Sequence, residues 1–308
     1  MNVSLIAQMA AAVWLLQPMS ASPIKLDPVT VPAFESDPSL RWSSSREEYE
    51  AARADERFAF ERFTYRSDGI TVGAYLYRPR NLTARSLAVI VYNRGSWTRP
   101  KGFAGEMLVL ANRFARANYI VVAPHYRGSN GWEGRDEMGG ADLADLMNIV
   151  PELRRIAGVD PTRVYLAGES RGGMMVYQAL RDGFPAKAAA VWGAFTDLGS
   201  LIAFYQSQAR PAPQIWADFD QNRAAIVERR SAMAWADRIR TPVLIMHGTA
   251  DEDVPVEQFE RLAAKLKQLG KEHRLLLFEK QLHRIGGRGA DRDAAAIEWF
   301  GRFGGETP

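Results

Sequence analysis

Six short, unbroken apolar runs, separated by polar or helical stretches, restrict the fold of this chain more than any other feature. They occupy residues 87–92, 119–123, 164–167, 188–192, 243–246 and 275–278. A strand with one face in water alternates apolar and polar residues, so unbroken runs belong to strands covered on both faces. The intervening segments carry the helical period instead. Phe259, Leu262, Ala263, Leu266 and Leu269 keep the i, i+3, i+4, i+7 spacing, as do Leu143, Leu146, Met147, Val150 and Leu153. Pro151 should kink or split the second of these helices, because it lacks the N–H and clashes with the preceding turn. Buried strands alternating with amphipathic helices predict a mainly parallel central sheet with helices on both faces.

Upstream the period changes to two. Phe58, Phe60, Phe63 and Tyr65 precede Ser67-Asp68-Gly69, and Ile70, Val72, Ala74 and Leu76 follow it. This predicts a β-hairpin that adds an antiparallel edge to the sheet. With no repeats and one core, residues 58–308 read as a single catalytic-sized domain. Residues 23–45 are rich in Pro, Ser and Asp and read as an extended leader, followed by a charged helix from Arg46 to about Arg57. Residues 5–16 are mostly apolar, too short a run for a stable membrane span but suited to the core of a signal peptide over residues 1–22. Export to a periplasmic or extracellular space is the expectation, with cleavage near residue 22. Against it, no Lys or Arg precedes the run and Pro23 follows the best small-residue pair, Ser20 and Ser22. A helix packed on the domain of a cytoplasmic protein is the alternative.

Composition excludes several chemistries. The net charge of +3, with arginines scattered, does not suit a nucleic-acid partner. The absence of cysteine removes disulfides, thiolate catalysis and cysteine metal sites. There are four histidines and no H-E-x-x-H helix, so no metal and no other cofactor is expected.

The segment Gly168-Glu169-Ser170-Arg171-Gly172 fits G-x-S-x-G. It follows the run ending at Ala167 and precedes residues 174–180, which read as helix. A serine exposed on a sharp strand-to-helix turn needs small neighbours, and the helix N-terminus beneath it offers N–H groups and partial positive charge to an oxyanion. Ser170 is thus the candidate nucleophile of an α/β-hydrolase fold, and the N–H of Arg171 the first candidate oxyanion donor. An ordinary glycine-rich turn is the plain alternative. Of the histidines, His273 enters a strand, His125 precedes the serine and His247 ends a strand. His283 lies in the loop between the last strand and the last helix, and the order serine, acid, histidine of such folds selects it as the base. Asp251, Glu252 and Asp253 all lie between the two, after a strand; each could also be a surface carboxylate at a helix N-terminus.

Three segments together resemble the catalytic domain of the prolyl oligopeptidase family, which includes dipeptidyl and acylaminoacyl peptidases. They are residues 168–173, His247-Gly248-Thr249-Ala250-Asp251-Glu252-Asp253-Val254-Pro255, and Tyr126-Arg127-Gly128-Ser129-Asn130-Gly131-Trp132. The similarity spans roughly residues 58–303. It implies that Asp251, three positions before Val254, is the acid. Larger members carry a β-propeller that filters substrates, for which 308 residues leave no room. Their loop after the first buried strand commonly reads His-Gly-Gly-Pro or Tyr-Gly-Gly; here it is Tyr92-Asn93-Arg94-Gly95-Ser96-Trp97. A tyrosine hydroxyl is thereby lost as an oxyanion donor, and the backbone near Gly95 becomes the candidate. Asp253 stands where the family holds peptides with an arginine or asparagine, which weighs against proline-directed cleavage.

For substrate contacts the sequence offers Trp97, Val254 and Phe195. Phe195, Phe204, Tyr205, Trp216, Phe219 and Trp235 fall where such folds insert lid elements, and an aromatic lid would suit an apolar group. The alternative is that most of these rings are core. The resulting expectation is a serine-type peptidase or esterase acting on a small peptide or ester. A carboxylesterase, an acyltransferase with the same triad, or a non-catalytic binding protein are the alternatives. No feature of the sequence specifies an oligomeric state.

Overall fold

A computed structural model describes residues 23–82, 86–96, 103–209, 216 and 219–304. The expected signal segment, residues 1–22, and Trp97 lie outside the described residues. The strands are β1 (Asp27–Pro28), β2 (Phe58–Ser67), β3 (Ile70–Pro79), β4 (Leu87–Asn93), β5 (Tyr119–Pro124), β6 (Val159–Glu169), β7 (Ala189–Trp192), β8 (Val243–Gly248) and β9 (His273–Phe278). They form one sheet in the order β1-β2-β3-β5-β4-β6-β7-β8-β9. The first three pairings are antiparallel and the rest parallel. The hairpin edge and the parallel centre thus agree with the sequence pattern. β1 was not expected: residues of the leader pair with Glu61 and Arg62 and extend the sheet.

The two-residue period sorts β4 between two cores. Val89 and Val91 enter one cluster with Ile120, Leu166 and Val191, while Ala88, Ile90 and Tyr92 enter the other with Val121, Tyr165 and Trp192. On the first face lie α5 (Arg171–Arg181), through Met174 and Tyr177, and α8 (Glu257–Gln268), through Phe259 and Leu262. On the second lie α2 (Ala104–Arg116), through Phe114, and α9 (Gly289–Gly301), through Trp299 and Phe300. Pro151 divides its segment into α3 (Leu143–Met147) and α4 (Val150–Leu153). The charged helix α1 spans Arg46–Arg53, closed at its start by a Ser45–Glu48 capping box. The stretch after β7 forms α6 (Leu198–Ser207) and α7 (Phe219–Arg229).

The aromatic residues of that stretch mostly follow the core reading. Phe195, Trp216 and Trp235 are buried in the first cluster, and Phe204, Tyr205 and Phe219 pack half-buried against it. Trp216 and Trp235 spend their indole N–H groups on the carbonyls of Glu137 and Glu228.

Candidate active site

Ser170 joins β6 to α5 with φ 51° and ψ −121°, a conformation L-residues adopt only under constraint. The constraint comes from both sides. Its N–H donates to the carbonyl of Trp192 on β7 at 2.8 Å. A Cβ on Gly168 would stand 2.7 Å from the carbonyl oxygen of Gly172, and one on Gly172 would collide with the carbonyl of Asn93. Only glycine lets β6, α5 and the end of β4 converge this closely.

His283 follows β9. Its loop is laced to the turn after β8: the N–H groups of Thr249 and Ala250 donate to the carbonyls of Phe278 and Gln281. Asp251 and His283 are thereby set face to face. His283 Nδ1 lies 2.8 Å from Asp251 Oδ2, and His283 Nε2 lies 2.8 Å from Ser170 Oγ. Because a carboxylate only accepts, Nδ1 carries the hydrogen, and neutral Nε2 is left to accept from the serine hydroxyl. Burial alone would lower the pKa of His283, but the Asp251 hydrogen bond and charge outweigh it and raise it above the ordinary 6.5. Burial opposes ionisation of Asp251 in turn, and the His283 bond and charge still hold its carboxyl below the usual range.

The Asp251 side chain is fully buried and uses both oxygens. Oδ1 accepts from the N–H groups of Asp253 (2.8 Å) and Val254 (3.0 Å). Oδ2 also lies 3.4 Å from His247 Nε2, whose hydrogen is fixed by the Val254 carbonyl at 2.9 Å. His247 was passed over as a strand-end residue; its spacing four before the aspartate was the available signal. Val254, expected at the substrate, is 3% exposed, and Phe195 is 4% exposed. Both side chains belong to the core behind the site, with the Val254 backbone holding the acid. Pro255 does not begin a helix: α8 starts at Glu257 after the N-cap Val256.

A second link joins the elbow to the histidine loop. Glu169, beside the serine, faces Arg284, beside the histidine, at 3.5 Å, and accepts from Trp192 Nε1 at 3.3 Å. Burial works against the Glu169 charge, yet Arg284 and Arg292 keep its carboxyl below the ordinary range.

The loop after β4 rests on a buried ionic cluster. A Cβ on Gly95 would lie 3.3 Å from Ser170 Cβ, so this backbone flanks Ser170. Arg94, 2% exposed, donates to the carbonyls of Gly95 (3.2 Å), Ser96 (3.1 Å) and His125 (3.2 Å) and to Ser129 Oγ (2.7 Å). Arg171, 1% exposed, donates to the Ser96 carbonyl and pairs with Asp136 and Asp142, each at 2.6 Å. Both guanidiniums lie over the Tyr126 ring. Two arginines against two aspartates make the cluster neutral, the condition for burying such charges at tolerable cost.

Donor atoms of Asp251, Asp253 and His283 lie within 4.8 Å of one another, the one such grouping among the described residues. Both nitrogens of His283 are already engaged by Ser170 and Asp251. A metal would have to break the triad to bind there.

A serine on a strand–helix elbow, in line with a histidine and a buried aspartate at the C-terminal edge of a parallel sheet, defines an α/β-hydrolase of the serine-nucleophile class. The chain belongs to the prolyl oligopeptidase family, whose sequence profile it matches over residues 106–306. It is 29% identical over 241 residues to the uncharacterized peptidase YuxL of Bacillus subtilis (strain 168), covering 73% of this chain and 35% of that protein. It is also 29% identical over 160 residues to the uncharacterized peptidase YtmA of the same organism, covering 52% of this chain and 62% of that one. The chain therefore spans only part of the length of both relatives. In fold it is similar to the acylaminoacyl peptidase of Pyrococcus horikoshii, with a TM-score of 0.66 and 23% identity over 82% of this chain and 42% of that one.

Proposed function

We propose that this protein is a serine hydrolase that cleaves a peptide or ester bond through an acyl-enzyme on Ser170. The observation that carries the reading is the line Asp251–His283–Ser170, with two 2.8 Å contacts. His283 Nε2 takes the hydroxyl proton as Ser170 Oγ attacks the acyl carbon. The oxyanion forms against the first N–H of α5, that of Arg171, with the backbone at Gly95 as second donor. Collapse transfers the proton from Nε2 to the leaving atom, and a water molecule repeats the cycle on the acyl-enzyme. Asp251 holds the tautomer and stabilises the imidazolium. The relatives' designation as peptidases favours a short peptide as substrate. A fluorophosphonate probe should label the protein, and Ser170→Ala should abolish labelling without altering thermal unfolding. Full labelling of that variant would remove the assignment.

We further propose that residues 1–22 direct export, on the strength of their apolar run alone. N-terminal sequencing of protein from its native host should find a start near residue 22; an intact Met1 would refute cleavage.

A further inference from the structure

The leader does more than add an edge strand. Its 3-10 turn Pro38–Trp42 is anchored by Leu40, which is fully buried. Just beyond, Ser43 Oγ accepts from Arg284 Nη1 at 3.2 Å, next to the catalytic histidine. The carbonyl of Trp42 packs so tightly on the histidine loop that a Cβ on Gly286 would stand 2.5 Å from it. The Trp42 ring takes no part in this packing: the residue is 66% exposed. Leu282, adjacent to His283 in the chain, is 53% exposed. Among the described residues only three large apolar residues are exposed, and two of them, Trp42 and Leu282, line one cleft of about 530 Å³ that His283 bounds. Larger clefts lie under the leader, but no triad residue lines them.

Resting on the acyl-enzyme reading, we propose that this cleft holds the leaving group, and that the leaving group is neutral and apolar. In the step concerned, the bond from Ser170 Oγ to the acyl carbon forms and the bond from that carbon to the leaving atom breaks. The proton passes from Oγ through His283 Nε2 to the leaving atom. That atom must therefore come within hydrogen-bond reach of His283, and whatever it carries extends into the space beside the imidazole. The volume is that of a small-molecule site. The charged side chains on its wall are of both signs, Arg41 (itself 3.5 Å from Glu35) and Lys280 with Glu252 and Asp253, so the cleft presents no single-sign surface to select an ion. Arg284, also on the wall, is already opposed by Glu169 and Glu106. Two exposed apolar surfaces on a wall of mixed charge fit an aromatic or branched alkyl group, carried by an alcohol or by the residue after a scissile peptide bond.

The test holds one acyl group constant and compares methyl with benzyl esters, and glycine with phenylalanine after a scissile amide, in Trp42→Ala and Leu282→Ser. Each variant should lose on the order of tenfold in kcat/KM on the aromatic leaving group and less than about twofold on the small one. Fluorophosphonate labelling should be unchanged, since fluoride does not reach the cleft. Equal losses on both leaving groups, or none on either, would overturn the subsite. Absence of labelling in the unmodified protein would instead overturn the hydrolase reading on which it rests.

Discussion

Asp251 receives hydrogen bonds from two backbone N–H groups on one oxygen and faces two imidazoles on the other, which fixes its carboxylate before any substrate arrives. Asp251→Asn should lower kcat by roughly 10³ to 10⁴, because an amide can present a donor to Nδ1 and stabilise the wrong tautomer. Asp253→Asn should behave differently. Asp253 is among the charges that raise the His283 pKa. Its neutralisation should shift the rising limb of kcat/KM to lower pH while leaving the plateau within a few fold. In the unmodified enzyme that limb, which reports deprotonation of the base, should have its midpoint above 6.5. Equal collapse of both variants would break the assignment of the acid. Ser170 and His283 were legible because one has a local motif and the other a fixed place in chain order. The contacts of His247 with Asp251 and of Glu169 with Arg284 were not. The first joins residues four apart, a spacing that by itself assigns no role; the second arises where β6 ends beside a loop more than a hundred residues away in the chain, which no local spacing encodes.

At the level of elements, strands and helices were readable because each buries a face with a fixed period, and Pro151 split its helix for a steric reason visible in the sequence. β1 was not, since a two-residue edge strand that includes Pro28 has no period to read. The aromatic stretch around α6 and α7 was ambiguous because a ring in a lid and a ring in a core have the same sequence signature. The loop after β4 shows how a departure from a family pattern is absorbed. Arg94 cannot donate a tyrosine hydroxyl to an oxyanion; instead its fork fixes the carbonyls of Gly95 and Ser96 from behind, with Arg171 sharing the second. Arg94→Lys keeps the charge near Asp136 but cannot span those carbonyls together with Ser129 and His125. It should lower kcat up to about 10²-fold through misplacement of the loop while KM changes little. Wild-type kcat in a folded Arg94→Lys variant would show that the fork does not set the oxyanion geometry.

For the whole molecule, the pH dependence of stability should be governed first by two histidines outside the proton-transfer line. His125 is 1% exposed, packed on Tyr75 and Phe103 with Arg94 near it, and burial followed by the Arg94 charge lowers its pKa to about 3. His247 is fully buried and stacked on Phe259 at 3.8 Å; burial lowers its pKa to about 4, only partly offset by Asp251. Both are neutral in the folded protein, whereas the unfolded chain binds a proton on each near 6.5. With folded values depressed, their contribution is complete above 6.5 and is lost as pH falls toward the folded values. At pH 5 the loss is about 2 kcal/mol for each, from 1.36 kcal/mol per unit over one and a half units. His283 acts with the opposite sign. Its folded value is raised, so its contribution is full below 6.5 and disappears as pH rises through that raised value. The depressed carboxyls of Asp142, Glu169 and Asp251 begin to cost stability only at lower pH, near and below the ordinary carboxylate range. Stability should therefore peak near neutrality and fall between pH 6.5 and 5, mostly above the range in which these three carboxyls act. Urea unfolding at pH 7.5, 6.5 and 5 should show the midpoint dropping over the last interval. His125→Phe, which keeps an aromatic ring against Tyr75 and Phe103, should remove about half of that drop whatever it does to stability at pH 7.5. A midpoint flat from pH 6.5 to 5 would mean that the two imidazoles are not held neutral by burial.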